Sequence, residues 1–92
     1  MIRRLVLDVL KPHEPGMIQF ASKISEIAEV DGVTAKLVEM DEHVRTIRVA
    51  IEGDNLDFGT IETEITDLGG SIHSIDEVSC GEIIIEDPWI AE

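Results

Sequence analysis

The chain has 92 residues and a formal net charge of −13, since 20 Asp and Glu stand against seven Lys and Arg. This length is typical of one small domain, and the 28 Ile, Val and Leu residues supply enough apolar side chains for a core. The negative charge argues against binding to nucleic acid or an anionic membrane, and no apolar run is long enough for a transmembrane helix. The single cysteine, Cys80, excludes an intrachain disulfide framework. We therefore expect one acidic, cytoplasmic domain.

The first third of the chain predicts a strand followed by a helix. Residues 2–10 are nearly continuous apolar, which is typical of a central strand, and two prolines then break the strand pattern. Apolar residues next recur every three or four positions, which predicts an amphipathic helix over 16–29. We expect Asp31 and Gly32 to end this helix, with Gly32 in the left-handed conformation.

The middle of the chain predicts a β-hairpin. Apolar and polar residues alternate over 33–37 and again over 47–51, as in half-buried strands. The polar residues 41–43 between them predict a short turn, and residues 53–55 are expected to close the second strand.

The last third predicts a second helix and a fourth strand. An apolar stripe at helical spacing begins near Phe58, with Asp54 or Asp57 as its capping residue, and Gly69 with Gly70 ends the pattern. A strand follows over 71–79. Its apolar residues Ile72 and Ile75 are three apart instead of two, which predicts a bulge or a change of face.

The predicted order β-α-β-β-α-β is typical of the ferredoxin-like α+β sandwich, in which two helices cover one face of an antiparallel sheet ordered 4-1-3-2. We expect residues 1–81 to form this domain. Residues 82–92 form a tail with three consecutive isoleucines and Trp89. This tail either adds an edge strand to its own sheet or acts as an oligomerisation arm that pairs with a neighbouring copy, and we favour the neighbouring copy.

The predicted topology places all three histidines near one end of the sheet, where the first strand ends, the hairpin turns and the fourth strand begins. Imidazole and carboxylate groups together suit a divalent transition metal. The candidate metal ligands are His13, Glu14, Asp41 and His43. The favoured explanation is that three loop histidines meet there by chance on an exposed rim, since no dense ligand motif is present.

A second candidate site lies on the helix-free face of the sheet. Asp8 interrupts the apolar first strand, and a carboxylate in such a place is costly unless it is paired or solvated. A structural ion pair with Arg48, or a contact with His73, is the favoured explanation. The functional alternative is a shallow ligand-binding site formed by Asp8, Arg48 and His73.

Three stretches of the chain resemble a small archaeal family of unknown function, DUF211. They are residues 7–15 (LDVLKPHEP), 53–58 (GDNLDF) and 69–78 (GGSIHSIDEV). The resemblance extends to about Gly81 and leaves out the tail. It implies a ferredoxin-like fold and a homo-oligomeric assembly, with no established activity and no role for any of the matched residues.

No nucleophile elbow, phosphate-binding loop or dinucleotide-binding motif occurs in the sequence, which argues against an enzyme. The leading hypothesis is a non-enzymatic, homo-oligomeric domain that binds a small ligand or a divalent metal ion. It is a candidate regulatory module, similar to ACT-type domains at the level of the fold alone. The alternatives are a metal-dependent enzyme that uses the histidine rim and a purely structural assembly subunit.

Overall fold

The computed structural model describes residues 1–86, and these residues fold into four antiparallel strands and two helices. The elements are β1 (Ile2–Pro12), α1 (Met17–Ser25), β2 (Val30–Met40), β3 (Val44–Leu56), α2 (Phe58–Asp67) and β4 (Ser71–Cys80). The sheet order is β2-β3-β1-β4, which is the predicted 4-1-3-2 order read from the other edge. The ferredoxin-like prediction is confirmed.

The core lies between the helices and one face of the two central strands. Alternate residues of β1 and β3 face each other across the sheet and are buried beneath Phe20 and Ile24 of α1 and Ile61 and Ile65 of α2. The strand residues in this layer are Leu5, Leu7, Val9, Ile47, Val49 and Ile51. The alternation over 47–51 and the helical spacing of the apolar residues predicted which faces of β3 and of the two helices are buried.

The first helix ends earlier than predicted. It stops at Ser25, where the N–H groups of Glu26 and Ile27 each bond to the carbonyl three residues back and tighten the last turn. The left-handed position falls on Glu29, with a φ of 73°, and not on Gly32, which lies inside β2. The expected Asp31–Gly32 helix stop is therefore wrong.

A close backbone approach joins the end of α1 to the end of β3. The amide of Asp54 donates to the carbonyl of Glu29 over 3.1 Å. Gly53 sits against that same carbonyl, and a Cβ at this position would collide with it and lie 2.6 Å from Cδ2 of Leu56. Only glycine fits there.

The fourth strand contains the irregularity that the spacing of Ile72 and Ile75 predicted. Its pairing with β1 shifts between the pairs Val6–Glu77 and Leu7–Ile75, and again between Asp8–Ser74 and Val9–Ile72. Asp76 and His73 are the extra residues at these two bulges. The bulges keep Ile72, Ile75 and Val78 opposite the core-facing residues of β1.

The two helices do not cover the whole sheet. They have nine and ten residues, or about 15 Å of length, whereas strands of 10 to 13 residues extend for roughly 33 to 43 Å. Aliphatic side chains on both edge strands therefore remain in solvent. Leu37, Val38 and Met40 on β2 and Ile75 and Val78 on β4 are each between 50% and 56% exposed.

The described part of the tail, residues 81–86, contains no strand. It is held at the end of the sheet by two arginines: Arg3 donates to the carbonyl of Glu82, and Arg4 binds the carboxylate of Glu86. Ile83 and Ile85 are largely exposed. Within the described residues the tail does not extend its own sheet, and the expectation for Trp89 lies outside them.

Candidate functional site

The open face of the sheet carries the first group of predicted site residues. Asp8 on β1 is directly opposite Arg48 on β3, as predicted. However, the Arg48 guanidinium binds Asp76, with 3.4 Å between Nη2 and Oδ2, and Ser74 donates to the other oxygen of Asp76 over 2.7 Å. Among residues 1–86, Asp8 makes no ion pair or side-chain hydrogen bond. The expected Asp8–Arg48 pair is replaced by an Arg48–Asp76 pair because the β4 bulge adds Asp76 to this region.

The third predicted residue of this group, His73, does not lie opposite Asp8. The cross-strand neighbour of Asp8 on β4 is Ser74, and His73 is the extra residue of the adjacent bulge. The structure therefore brings Asp8, Arg48, Ser74 and Asp76 together. His73 is left without a pairing partner on β1.

The hairpin end of the sheet carries the predicted metal ligands. Nε2 of His13 donates to the backbone carbonyl of Asp41 over 3.2 Å, which confirms that the end of β1 meets the hairpin. Nε2 of His43 lies 3.5 Å from Oε1 of the neighbouring Glu42. Glu14 is exposed. Within residues 1–86, no three His, Cys, Asp or Glu side chains are arranged to hold a metal ion. The metal site remains a prediction.

Asp41 has a structural role in this hairpin. Its Oδ1 accepts hydrogen bonds from the amides of Val44 at 2.7 Å and His43 at 2.9 Å. These two bonds favour the ionised carboxylate and lower the pKa of Asp41, with a small further contribution from the two nearby histidines. The carboxylate thus closes the turn, a use typical of Asp in this position.

The most unusual side chain at this end is Lys11, which is only 1% exposed. Its Nζ donates to the carbonyl of Pro12 over 2.7 Å and lies 5.8 Å from the centre of the Phe20 ring. Burial lowers the pKa of Lys11, and the positive charge of Arg45 lowers it further. The sequence pattern ended the first strand at residue 10 and therefore left Lys11 outside it. The signal was available, because Lys11 continues the odd-numbered positions of β1 that face the core.

Arg45 is directly opposite Lys11 on β3. It is half-buried, and its Nε atom is fully buried with no hydrogen-bond partner in the described part of the chain. Two cationic groups therefore share one cross-strand pair on the helix-covered side of the sheet. Sequence reasoning did not identify this pair.

A third charged cluster surrounds Arg4 at the other end of the open face. Its guanidinium binds three carboxylates: Glu52 at 2.8 Å, Glu77 at 3.0 Å and Glu86 at 2.7 Å. The hydrogen bonds that Arg4 donates to Glu77, Glu86 and Glu52 raise its pKa above its already high value. Arg4 therefore connects β3, β4 and the tail.

The fold and these clusters define a small ferredoxin-like α+β domain with an open, charged sheet face and uncovered apolar edges. None of the helices in the described residues is long and apolar enough to cross a membrane. The family model of DUF211, described as "Uncharacterized ArCR", matches residues 3–91. The chain belongs to this family. It is also 50% identical, over 86 residues, to "Uncharacterized protein MJ0319" of Methanocaldococcus jannaschii, an alignment that covers 94% of this chain and 89% of that protein.

Proposed function

We propose that this chain is a non-enzymatic, homo-oligomeric domain that binds a small ligand on its open sheet face. The observation that carries the proposal is the exposure of five aliphatic side chains on the two edge strands. An edge strand offers unpaired backbone groups, and soluble proteins normally protect such edges with charge, with proline or with a covering element. Here the edges carry aliphatic side chains despite 20 acidic residues in the chain.

The position of these residues indicates how copies associate. Leu37, Val38 and Met40 lie on one edge, whereas Ile75 and Val78 lie on the opposite edge. A contact between these two different surfaces is heterologous, and repeated heterologous contacts close into a ring when the rotation permits. A ring would cover both edges of every copy.

The open face supports the ligand-binding part of the proposal. Asp8 is half-buried in the middle of the sheet, beside the Arg48–Asp76 pair, and makes no ion pair within the described residues. A half-buried carboxylate without a partner favours a cationic or hydrogen-bond-donating group from outside the chain. Asp8 and Arg48 are therefore the proposed ligand contacts.

Native mass spectrometry of the untagged protein tests both parts, because it reports the number of subunits and any retained ligand mass together. Val38→Lys on β2 and Ile75→Lys on β4 should each reduce a ring to smaller species, since either substitution charges one side of every contact. Ile18→Lys is the matched control, because Ile18 is 85% exposed but lies on α1. Asp8→Asn should leave the subunit number unchanged and remove the retained mass.

A monomeric parent protein would refute the assembly. A dimer that only one of the two edge variants disrupts would refute the ring and indicate a symmetric contact through that edge. A clean oligomer without added mass, unchanged by Asp8→Asn, would favour a structural subunit over a ligand-binding one.

A further inference from the structure

The pairing of Lys11 with Arg45 is difficult to explain by stability alone. The chain has only seven Lys and Arg residues, compared with 20 Asp and Glu, yet two of the seven are cross-strand neighbours. Like charges directly opposite each other destabilise a sheet. Within residues 1–86, neither side chain forms an ion pair with a carboxylate.

The hydrogen bonds of the pair are also incomplete. An ammonium group has three donors, and the described structure gives Lys11 one acceptor, the carbonyl of Pro12. The buried Nε of Arg45 has none. An unpaired buried donor on a charged group is costly, and an apolar pair would continue the core here. The arrangement lacks an acceptor that carries negative charge.

The surroundings indicate what kind of anion fits. The Phe20 ring lies beside Lys11, and Met40, which is 56% exposed, is the neighbour of Arg45 on the edge strand β2. The site thus has cationic donors next to apolar side chains and is adjacent to an uncovered margin of the sheet. A small organic anion with an apolar portion matches both properties.

We propose that Lys11 and Arg45 form a binding site for the carboxylate of a small aliphatic acid. The planar guanidinium of Arg45, through Nε and one Nη atom, suits two parallel hydrogen bonds to a carboxylate. Lys11 stays in place and adds positive charge beside it. The aliphatic part of the ligand packs against Met40. This site lies within one chain, on the side of the sheet opposite Asp8, and at Met40 it borders the edge that the proposed assembly would cover.

The test uses sodium isovalerate as the probe, titrated at constant ionic strength against sodium chloride and followed by the ¹H–¹⁵N signals of the arginine Nε groups. Inorganic phosphate is titrated separately to distinguish a carboxylate site from a phosphate site. Arg45→Gln is the test variant. Lys36→Gln is the matched control, because it removes the same charge from the adjacent strand β2, where Lys36 lies opposite Arg48 and therefore on the open face.

We expect the Arg45 Nε signal to shift and saturate with isovalerate, while that of Arg3, which already donates to the carbonyl of Gly53, does not. Arg45→Gln should weaken isovalerate binding by about tenfold or more, as the loss of a charge-assisted hydrogen bond predicts, and Lys36→Gln should leave it unchanged. Tighter binding of phosphate, an equal effect of both variants, or no saturation would overturn the proposal. The proposal would also be overturned if Arg45→Gln changed the number of subunits but did not weaken isovalerate binding. The hydrogen-bond acceptor of Arg45 would then lie on another copy of the chain. If Arg45→Gln does not fold, the Nε signals of the parent protein decide.

Discussion

At the level of single residues, Gly53 is the position least able to accept a side chain. A Cβ there would collide with the carbonyl of Glu29 and with Leu56, both fixed by the core and by the Asp54–Glu29 hydrogen bond. Gly53→Ala should therefore lower the free energy of unfolding by about 3 kcal/mol, as overpacking against backbone does.

Urea denaturation measures this loss, and Gly32→Ala is the control. Gly32 also lies in a strand, but no atom lies within 4 Å of a Cβ built there. That substitution should be neutral or stabilise by about 0.5 kcal/mol, because alanine restricts the unfolded chain. Equal losses in the two variants would show that the close approach to Glu29 does not constrain position 53.

Asp41 gives the hairpin a pH dependence whose sign follows from its lowered pKa. Because the folded state holds the pKa of Asp41 below its ordinary value of 3.8, the carboxylate stabilises the fold above pH 3.8. This contribution is lost as the pH falls through the lower, folded-state pKa. Asp41→Ala should be less stable than the parent at neutral pH, and the difference should diminish on acidification below pH 3.8.

Thermal denaturation of both proteins across this pH range checks the expectation. Asp41→Asn is an informative companion, because an amide oxygen still accepts the bonds from His43 and Val44 but does not titrate there. It should keep much of the turn's stability and remove the pH-dependent part. A difference between Asp41→Ala and the parent that stays constant down to the lowest pH would contradict this account.

At the level of elements, Arg4 is one of the residues that hold the tail to the sheet. Arg4→Gln leaves Glu52, Glu77 and Glu86 close together without their shared cation. Global stability should fall by only about 1 kcal/mol, because these groups are partly solvated. The position of the tail should be affected more strongly, because Glu86 loses its attraction to Arg4 and is then repelled by Glu52 and Glu77.

The heteronuclear ¹H–¹⁵N NOE of the Glu86 amide measures this response and should decrease in Arg4→Gln. Lys36→Gln removes an equal charge from a strand of the same sheet and should leave the NOE of Glu86 unchanged. An unaltered NOE in Arg4→Gln would show that Arg3 and the Gly81–Met1 backbone bond alone position the tail.

The helices and strands also show how much of the fold could be predicted from the sequence. Apolar periodicity was sufficient to predict the order of the elements, the sheet topology and a bulge in β4. Each of these features places apolar side chains in the core. The end of α1 was not predictable in this way. The carbonyl of Glu29 is bonded to Asp54 on another strand, and no local pattern contains that contact.

The candidate site was predictable only in part. The position of Asp8 opposite Arg48 follows from topology and strand phase alone. The actual partner of Arg48 depends on the bulge that adds Asp76, which lies between Ile75 and Glu77. The spacing of Ile72 and Ile75 predicted only the other bulge, at His73. Lys11 was misplaced for a different reason: the strand continues to Pro12, two residues beyond its predicted end.

For the whole molecule, charge and apolar surface act in opposite directions. A net charge of −13 on 92 residues keeps copies apart over roughly one Debye length, about 8 Å at physiological salt. The exposed aliphatic margins act only at contact and favour association. The proposed assembly therefore depends on contacts that bury these margins while leaving most of the 20 carboxylates in water.

The central position of β1 determines when this fold can form during synthesis. The strand is synthesised before both of its neighbours, β3 and β4, and the pair Leu5–Val78 joins residues that are far apart in the chain. Its inner aliphatic residues therefore stay without a partner strand on one side until β4 has left the ribosome. Such a chain folds late and largely in one step, and the nascent first strand is the segment most in need of protection from aggregation.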